Sequence, residues 1–577
     1  MASHVTMKRL LGFKDFFPNE TPRVTEYYAT KLGKDLIFKT SCYFLDYFRF
    51  RGNPPVEQLL ADWFTFNSFS YESSPTYYVI EREYRRIKNF HKNEPHSLLS
   101  VESLLDMYLW CLASEGLPES IEAHDSSICL PLLELVLLFN DGILAKYERV
   151  TQSIKPFGED RKLQRLILAG SFSHSDLENI DYAQLFYTQF YKKGRLLEFL
   201  ALTERYQPLL MRVLNEFGCS TKEEFLRAVG AAVALPFVKN EPSWRVLNVK
   251  EDENKKKNIQ ILENLAVEDL KPEDSEQNDY LALRSKPFHR ISETQYRVIF
   301  GLFLIKKLYN GLIFKLASYD RNFLGNIRND FSEGVLVYET LEYVLGEAGA
   351  VKITGNEFKS KDLGREPDFY YRNKNKMALF ESKDFFMPGT IKLSYDFSAI
   401  EGELMKNGRL KKAVVQLVTN ILRALRKELP IDNHYDQMEM EIYPVIIVHD
   451  SLYSAPGLNF WVYYWFLDEL EKVKADDINK ELDFSGVKPV TLVEIDSLIL
   501  YQDHFKEGRL SLIGLLEGYH QHVRYDLAGK VAGKDVEAHA LQSASSFAEF
   551  LRDMAHQKGL PIWFSRIDDL LNRLGIE

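Results

Sequence analysis

Glu366-Pro-Asp-Phe-Tyr-Tyr-Arg-Asn-Lys-Asn-Lys-Met-Ala-Leu-Phe-Glu-Ser-Lys383 is the stretch from which the fold of this chain can be read. It divides into two short β-type runs, Asp368–Arg372 and Met377–Lys383, separated by the polar tetrapeptide Asn373-Lys-Asn-Lys376 of the kind that closes a hairpin. Side chains two apart on a strand share a face, so Glu381 and Lys383 are expected to point one way and Ser382 the other. A carboxylate ahead of the hairpin, at Asp368, and a carboxylate with a lysine after it would then converge on one spot. Hard divalent cations are held by a few carboxylates that leave positions open for water and phosphate, and an adjacent lysine can orient the attacking water or contact the phosphate.

Working outward from the hairpin, a helix is expected over Val335–Gly346 and a short strand over Val351–Thr354. After the hairpin come a helix at Arg409–Leu429, apolar on one side and rich in Arg and Lys, and a continuously apolar strand at Tyr443–Val448. A helix at Trp461–Val473, a strand at Val490–Glu494 and a helix capped by Asp496 and ending near Phe505 complete a compact mixed α/β domain. Two short helices, Ala544–Lys558 and Phe564–Leu574, form the tail.

Pro367-Asp368, twelve intervening residues, and Glu381-Ser382-Lys383 in this order of elements resemble the PD-(D/E)xK nuclease superfamily, which includes many restriction endonucleases and recombination or repair nucleases. The resemblance covers about Gly334–Phe505. It implies a restriction-endonuclease-like domain with a central mixed sheet. Asp368, Glu381 and Lys383 would be catalytic, and the two carboxylates would bind Mg2+ or Mn2+. Many members add an acid from the first helix, a place that Glu339 occupies here, with Glu342 as the alternative. Some carry a glutamine on the helix after the lysine strand, where Gln416 stands; Gln416, Lys412 and Arg409 are the expected substrate contacts. The long interval holding Phe385-Phe386-Met387-Pro388-Gly389 departs from the family pattern. The implied activity is metal-dependent phosphodiester hydrolysis, on DNA ahead of RNA. By analogy, a toxic nuclease joined to a sensing half would suit prokaryotic defence against phage or foreign DNA. The alternative is a catalytically inactive, nuclease-like scaffold or nucleic-acid-binding interaction protein.

The remaining chain bounds this reading. With 577 residues, two to four domains are expected. We read a helical domain at 1–249, a charged linker or long loop at 250–279, connecting helices at 280–333 opened by Ser292-x-x-Gln295, the nuclease-like domain at 334–527 and a helical tail at 528–577. The fold class is thus α+β and multidomain, with a largely helical N-terminal half. In that half, helices are expected at Ser100–Ala113 and Pro131–Tyr147, and another begins near Ser220 or Thr221. The half is expected to regulate, select substrate or support homo-oligomers. The formal net charge is -11, which disfavours indiscriminate coating of nucleic acid. Residues 352–427, however, hold 16 Lys and Arg against 9 Asp and Glu, a basic island within an acidic chain.

Four scattered cysteines, Cys42, Cys111, Cys129 and Cys219, fit buried thiols better than a zinc site or disulfides. The best membrane-span candidate, Tyr296–Leu316, is broken by Lys306 and Lys307, and no signal peptide precedes Met7-Lys8-Arg9, so a cytoplasmic protein without membrane partners is expected. Three weaker constellations fall away. Arg284–His289 has the spacing of a helical ribonuclease motif but is interrupted by Pro287. His520 and His522 are expected at the surface, and His449-Asp450 at the end of an apolar strand is a secondary candidate. No phosphate-cradling Gly-rich loop and no serine elbow is present.

Overall fold

In the computed structural model, residues 8–51, 54–92, 94–121, 125–157, 161–178, 180–238, 245–267, 279–346, 349–360, 366–406, 408–429, 432, 434–527, 535–562 and 564–574 are described. They form two compact units that interleave along the chain: one contains 1–149, 180–182 and 213–311, the other 150–179, 183–212 and 312–577. The fold class is α+β, with a largely helical N-terminal half and a mixed sheet in the C-terminal part.

The first unit corrects the domain boundaries read from composition. Its four-stranded sheet is built by β1 (Val246–Asn248), β2 (Ala266–Val267), β3 (Phe288–Ser292) and β4 (Gln295–Val298), in the order β1-β4-β3-β2. The segment read as a charged linker therefore contributes a helix, Lys255–Glu263, and strand β2 to a folded core, while 268–278 lie outside the described residues. Ile261, Leu262, Leu265 and Val267 are buried, and these few apolar side chains outweigh the polarity of their neighbours. The helix expected to start at Ser292 is instead the β3–β4 hairpin. Ser292 accepts the Thr294 N–H within the turn, and only beyond it do helices Gly301–Lys306 and Asn310–Tyr319 begin. β4 is paired on both sides, with β1 and with β3, which a local cap signature does not anticipate. Arg284 pairs with Asp279, and His289 meets Tyr108; Pro287 separates a short helix from β3, so the ribonuclease-like spacing makes no helix.

Helix α1 (Cys129–Ile154) continues the helix that begins at Ser126, and the run to Phe157 contains a window long and apolar enough to cross a bilayer. This corrects the expectation that no such stretch exists. Within the first unit α1 buries Leu132, Leu133, Val136 and Ile143, and the Asn140 amide donates to the carbonyls of Leu11 and Leu98 at 2.7 and 2.9 Å. The four cysteines are buried and none is in a disulfide.

The second unit is organised on a five-stranded sheet. Its strands are β5 (Val351–Thr354), β6 (Phe369–Asn373), β7 (Lys376–Lys383), β8 (Glu441–Val448) and β9 (Thr491–Glu494), in the order β9-β8-β7-β6-β5. β5, β6 and β7 form an antiparallel meander, whereas β8 runs parallel to both β7 and β9. Asn373 pairs with Lys376, so the expected hairpin closes on Lys374-Asn375, with Lys374 in the left-handed region at φ 53°. Helix α2 (Tyr182–Leu202) supplies residues from 183 onward to this unit, which contradicts a single helical domain ending at 249. A π-helical segment, Arg328–Val337, runs without a break into α3 (Tyr338–Val344). α4 (Leu410–Leu425) buries Leu410, Ala413, Val414, Leu417 and Ile421 at helical spacing. It is followed by α5 (Leu458–Lys474) and, near the chain end, α6 (Ser565–Leu574). In the tail, 528–534 lie outside the described residues.

Candidate functional site

The β6–β7 hairpin brings its charged ends together because Phe369 pairs with Phe380, which sets Asp368 beside Glu381. Asp368 is tied into the sheet at the start of β6. Its N–H donates to the Phe380 carbonyl at 3.0 Å, its carbonyl accepts from Gly355 at 2.8 Å, and its Oδ2 accepts the Ser382 N–H at 2.7 Å. Glu381 is fully buried, and Lys383 Nζ lies 3.4 Å from its Oε2 and 3.1 Å from the Ser382 carbonyl. Ser382 faces away and its Oγ meets His449 Nε2 at 3.0 Å, as period-two alternation requires.

Burial pushes the Glu381 carboxyl well above the ordinary range, and the neighbouring Asp368 charge adds to this; Lys383 opposes it. From the π-helical segment a third acid, Glu333, enters the same field. Its carboxyl is raised by burial and then by Asp368, with Lys383 acting in the opposite sense. Tyr338 donates to Glu333 Oε1 at 3.0 Å, and Lys359 Nζ stands 3.6 Å from the same oxygen.

Glu339, the expected helix acid, is elsewhere. Its two oxygens are taken by Arg195 and by Arg566, the latter at 2.6 Å. Glu342 pairs with Lys352 at 2.9 Å. Glu333 lies just outside the helix expected at Val335–Gly346 and the domain expected from 334. The helix instead passes through Gly334 by widening into the π form, in which a Cβ at 334 would lie 3.0 Å from the Asn329 carbonyl oxygen. No periodic signal in the sequence marks this change of phase.

On the other side of the site, α4 presents two amides. Asn420 Nδ2 approaches Glu381 Oε1 at 3.4 Å, while Asn420 Oδ1 and Gln416 Oε1 are buried acceptors without a hydrogen-bond partner. Gln416 thus lies one turn before Asn420, the α4 residue at the site. Arg409 does not behave as a free substrate contact: it pairs with Glu403, donates to the Phe386 carbonyl at 3.4 Å and lies over the Phe385 ring. Lys412 is exposed. Much of the basic island is neutralised internally: Arg372 pairs with Asp432, Lys376 with Glu517, Lys392 with Asp176 and Lys411 with Glu469, all acids outside 352–427.

The secondary candidates serve the framework. Asp450 accepts the Leu452 N–H at 2.9 Å. Asp496 does not cap the helix after β9; that place belongs to Glu494, and Asp496 pairs with the buried Lys192 at 2.7 Å. His520 is bonded to Thr491 at 2.8 Å, and burial lowers it to about 4, which corrects its expected surface position.

Among the described residues, no three His, Cys, Asp or Glu side chains stand ready as a metal-holding group. The donor set nevertheless fits a hard divalent cation. Mg2+ is commonly bound through one or two carboxylates and retains several waters, and the buried Glu381 with the adjacent Asp368 offers such a pair. Compared with protein-family models, with curated proteins and with solved structures, the chain matches none.

Proposed function

We propose that this protein is a metal-dependent nuclease of the PD-(D/E)xK kind, hydrolysing phosphodiester bonds in DNA ahead of RNA, with Mg2+ or Mn2+ as cofactor. The observation that carries this reading is the fully buried Glu381 carboxyl held between Asp368 and Lys383 at one end of β7. A buried acid with a second acid beside it is costly, and a bound cation offsets that cost. The meander followed by a parallel strand and the amide-bearing helix α4 support the same reading.

Asp368 and Glu381 would hold the cation, with Glu333 from the helix as the third acid in place of Glu339. The cation would supply charge neutralisation at the phosphate and an acidified water. Lys383 would orient that water and take up charge at the scissile phosphate. Asn420, which approaches Glu381, and Gln416 one turn before it carry buried amide oxygens without a hydrogen-bond partner, and Lys412 is the exposed cation on the same helix. By analogy with toxic nucleases joined to sensing modules, the proposed setting is prokaryotic defence against foreign DNA, with the other unit as sensor or oligomerisation module.

One observation favours a second reading, an inactive nuclease-like scaffold: Lys383 Nζ already stands 3.4 Å from Glu381 Oε2, and among the described residues no three His, Cys, Asp or Glu side chains stand ready as ligands. Incubation with single-stranded DNA, duplex DNA and RNA, with Mg2+, Mn2+ or chelator, decides between them. Cleavage that needs metal and falls by about 10²–10⁴ in Lys383→Ala and Asp368→Ala, with folding retained by circular dichroism, is the expected result. No cleavage of any substrate by the wild type overturns the nuclease reading.

A further inference from the structure

Glu339 is a charged helical residue one turn and a half beyond Glu333, and its partners come from two distant parts of the second unit. Arg195 belongs to α2 and Arg566 to α6, 371 residues later in the chain. The Arg566 guanidinium also lies over the rings of Tyr191 and Tyr343, at 5.1 and 5.6 Å from their centroids, and donates to Gln502 Oε1 at 3.3 Å. α6 is further anchored through Ser565 Oγ to Asp503 at 3.2 Å, and Asp503 accepts from Tyr343 of α3 at 3.1 Å. α2 and α6 approach so closely that a Cβ at Gly194 would lie 2.7 Å from Leu570.

The helix fastened in this way is the one that carries Glu333. π-helical geometry is rare and mostly confined to single turns, so a ten-residue segment of it persists only where surrounding contacts impose it. Those contacts are Tyr206 to Asp330 at 2.6 Å, Ser332 to Asp384 at 2.6 Å, Tyr338 to Glu333 at 3.0 Å, and the two arginines on Glu339. Relaxation to α-helix would change the rotation per residue and swing Glu333 away from Asp368 and Glu381.

We propose that Glu339 is a positioning residue, and that the Arg195–Glu339–Arg566 bridge makes the carboxy-terminal helix α6 a required part of the cation site by holding the π-helical segment in phase. This inference rests on the nuclease reading for its function but not for its mechanics. The test uses the full chain in wild-type, Arg566→Glu and Arg566→Lys forms. Tb3+ luminescence and Mn2+ titration report the cation site, hydrogen exchange reports the amides of 328–337, and cleavage kinetics report turnover. In Arg566→Glu, exchange over 328–337 rises at least tenfold, cation affinity falls about tenfold and kcat falls with little change in KM. Arg566→Lys, which keeps the positive charge, keeps most of each.

Wild-type exchange and cation affinity in a folded Arg566→Glu protein overturn the bridge while leaving the nuclease reading intact. If the wild type binds neither Tb3+ nor Mn2+ and cleaves nothing, the nuclease reading and the site role of the bridge fall together. The exchange data then show separately whether Arg566 holds the segment.

Discussion

The β6–β7 hairpin and the helical run Arg328–Val344 each deliver acids toward the same place, and they do so by opposite means. In the hairpin, Asp368 and Glu381 are aimed by strand pairing that follows directly from alternation and a two-residue turn. In the helix, Glu333 is aimed by a π segment imposed from outside, while Glu339, better placed by ordinary helical reading, is occupied by two arginines. Geometry encoded by neighbours in sequence is robust to what surrounds it. Geometry imposed by distant contacts is where function depends on the whole unit.

The comparison breaks most readily at Glu333. If it is the third acid, Glu333→Gln lowers metal-dependent cleavage by about 10²–10³, measured as kcat/KM at saturating Mg2+. Glu342→Gln, which loses only a surface pair with Lys352, leaves it within about twofold. Equal losses in the two variants would remove the distinction between the acids.

A smaller effect concerns the buried Glu381 in the metal-free protein. Its carboxyl is raised on folding, so the unfolded chain releases that proton first as pH rises. The contribution to stability is therefore fully present below the ordinary carboxyl range and is lost as pH climbs toward the folded value. Glu381→Gln removes this loss. It is expected to unfold at higher denaturant than wild type at pH 8, by about 1 kcal/mol or more, with the gap closing near pH 4. Divalent cation should reverse the order at pH 8 by stabilising only the wild type. A gap that widens as pH falls would mean that Glu381 is not held protonated by burial.

The smallest expected effect is at Lys412. Because much of the basic island is paired internally, one exposed lysine on α4 should contribute a single phosphate contact. Lys412→Ala should reduce the salt slope of DNA binding by about 1, with no change in preference among sequences. A slope change of several units would show a wider cationic surface than the ion pairs allow.

Much of the second unit was legible in the sequence. Val351–Thr354, the hairpin strands, Glu441–Val448 and α4 announce themselves because period-two alternation, an all-apolar run and a 3.6-residue stripe are local patterns. The first unit was much less so. Its sheet is assembled from very short strands, and β2 is a two-residue piece within a segment whose composition suggested a linker. Charge counting failed similarly: residues 352–427 are basic in sequence, yet Asp176, Asp432, Glu469 and Glu517 reach in from far along the chain.

By itself, the sequence determined the β6–β7 hairpin, the faces of Glu381, Ser382 and Lys383, and the amphipathic α4, since each follows from side-chain spacing along a single element. Tertiary structure alone decided that Glu333 rather than Glu339 joins the acids, that Arg409 is spent on Glu403 and that the two units interleave along the chain. Those outcomes depend on which distant groups compete for a buried charge, and that competition is resolved only when the elements pack.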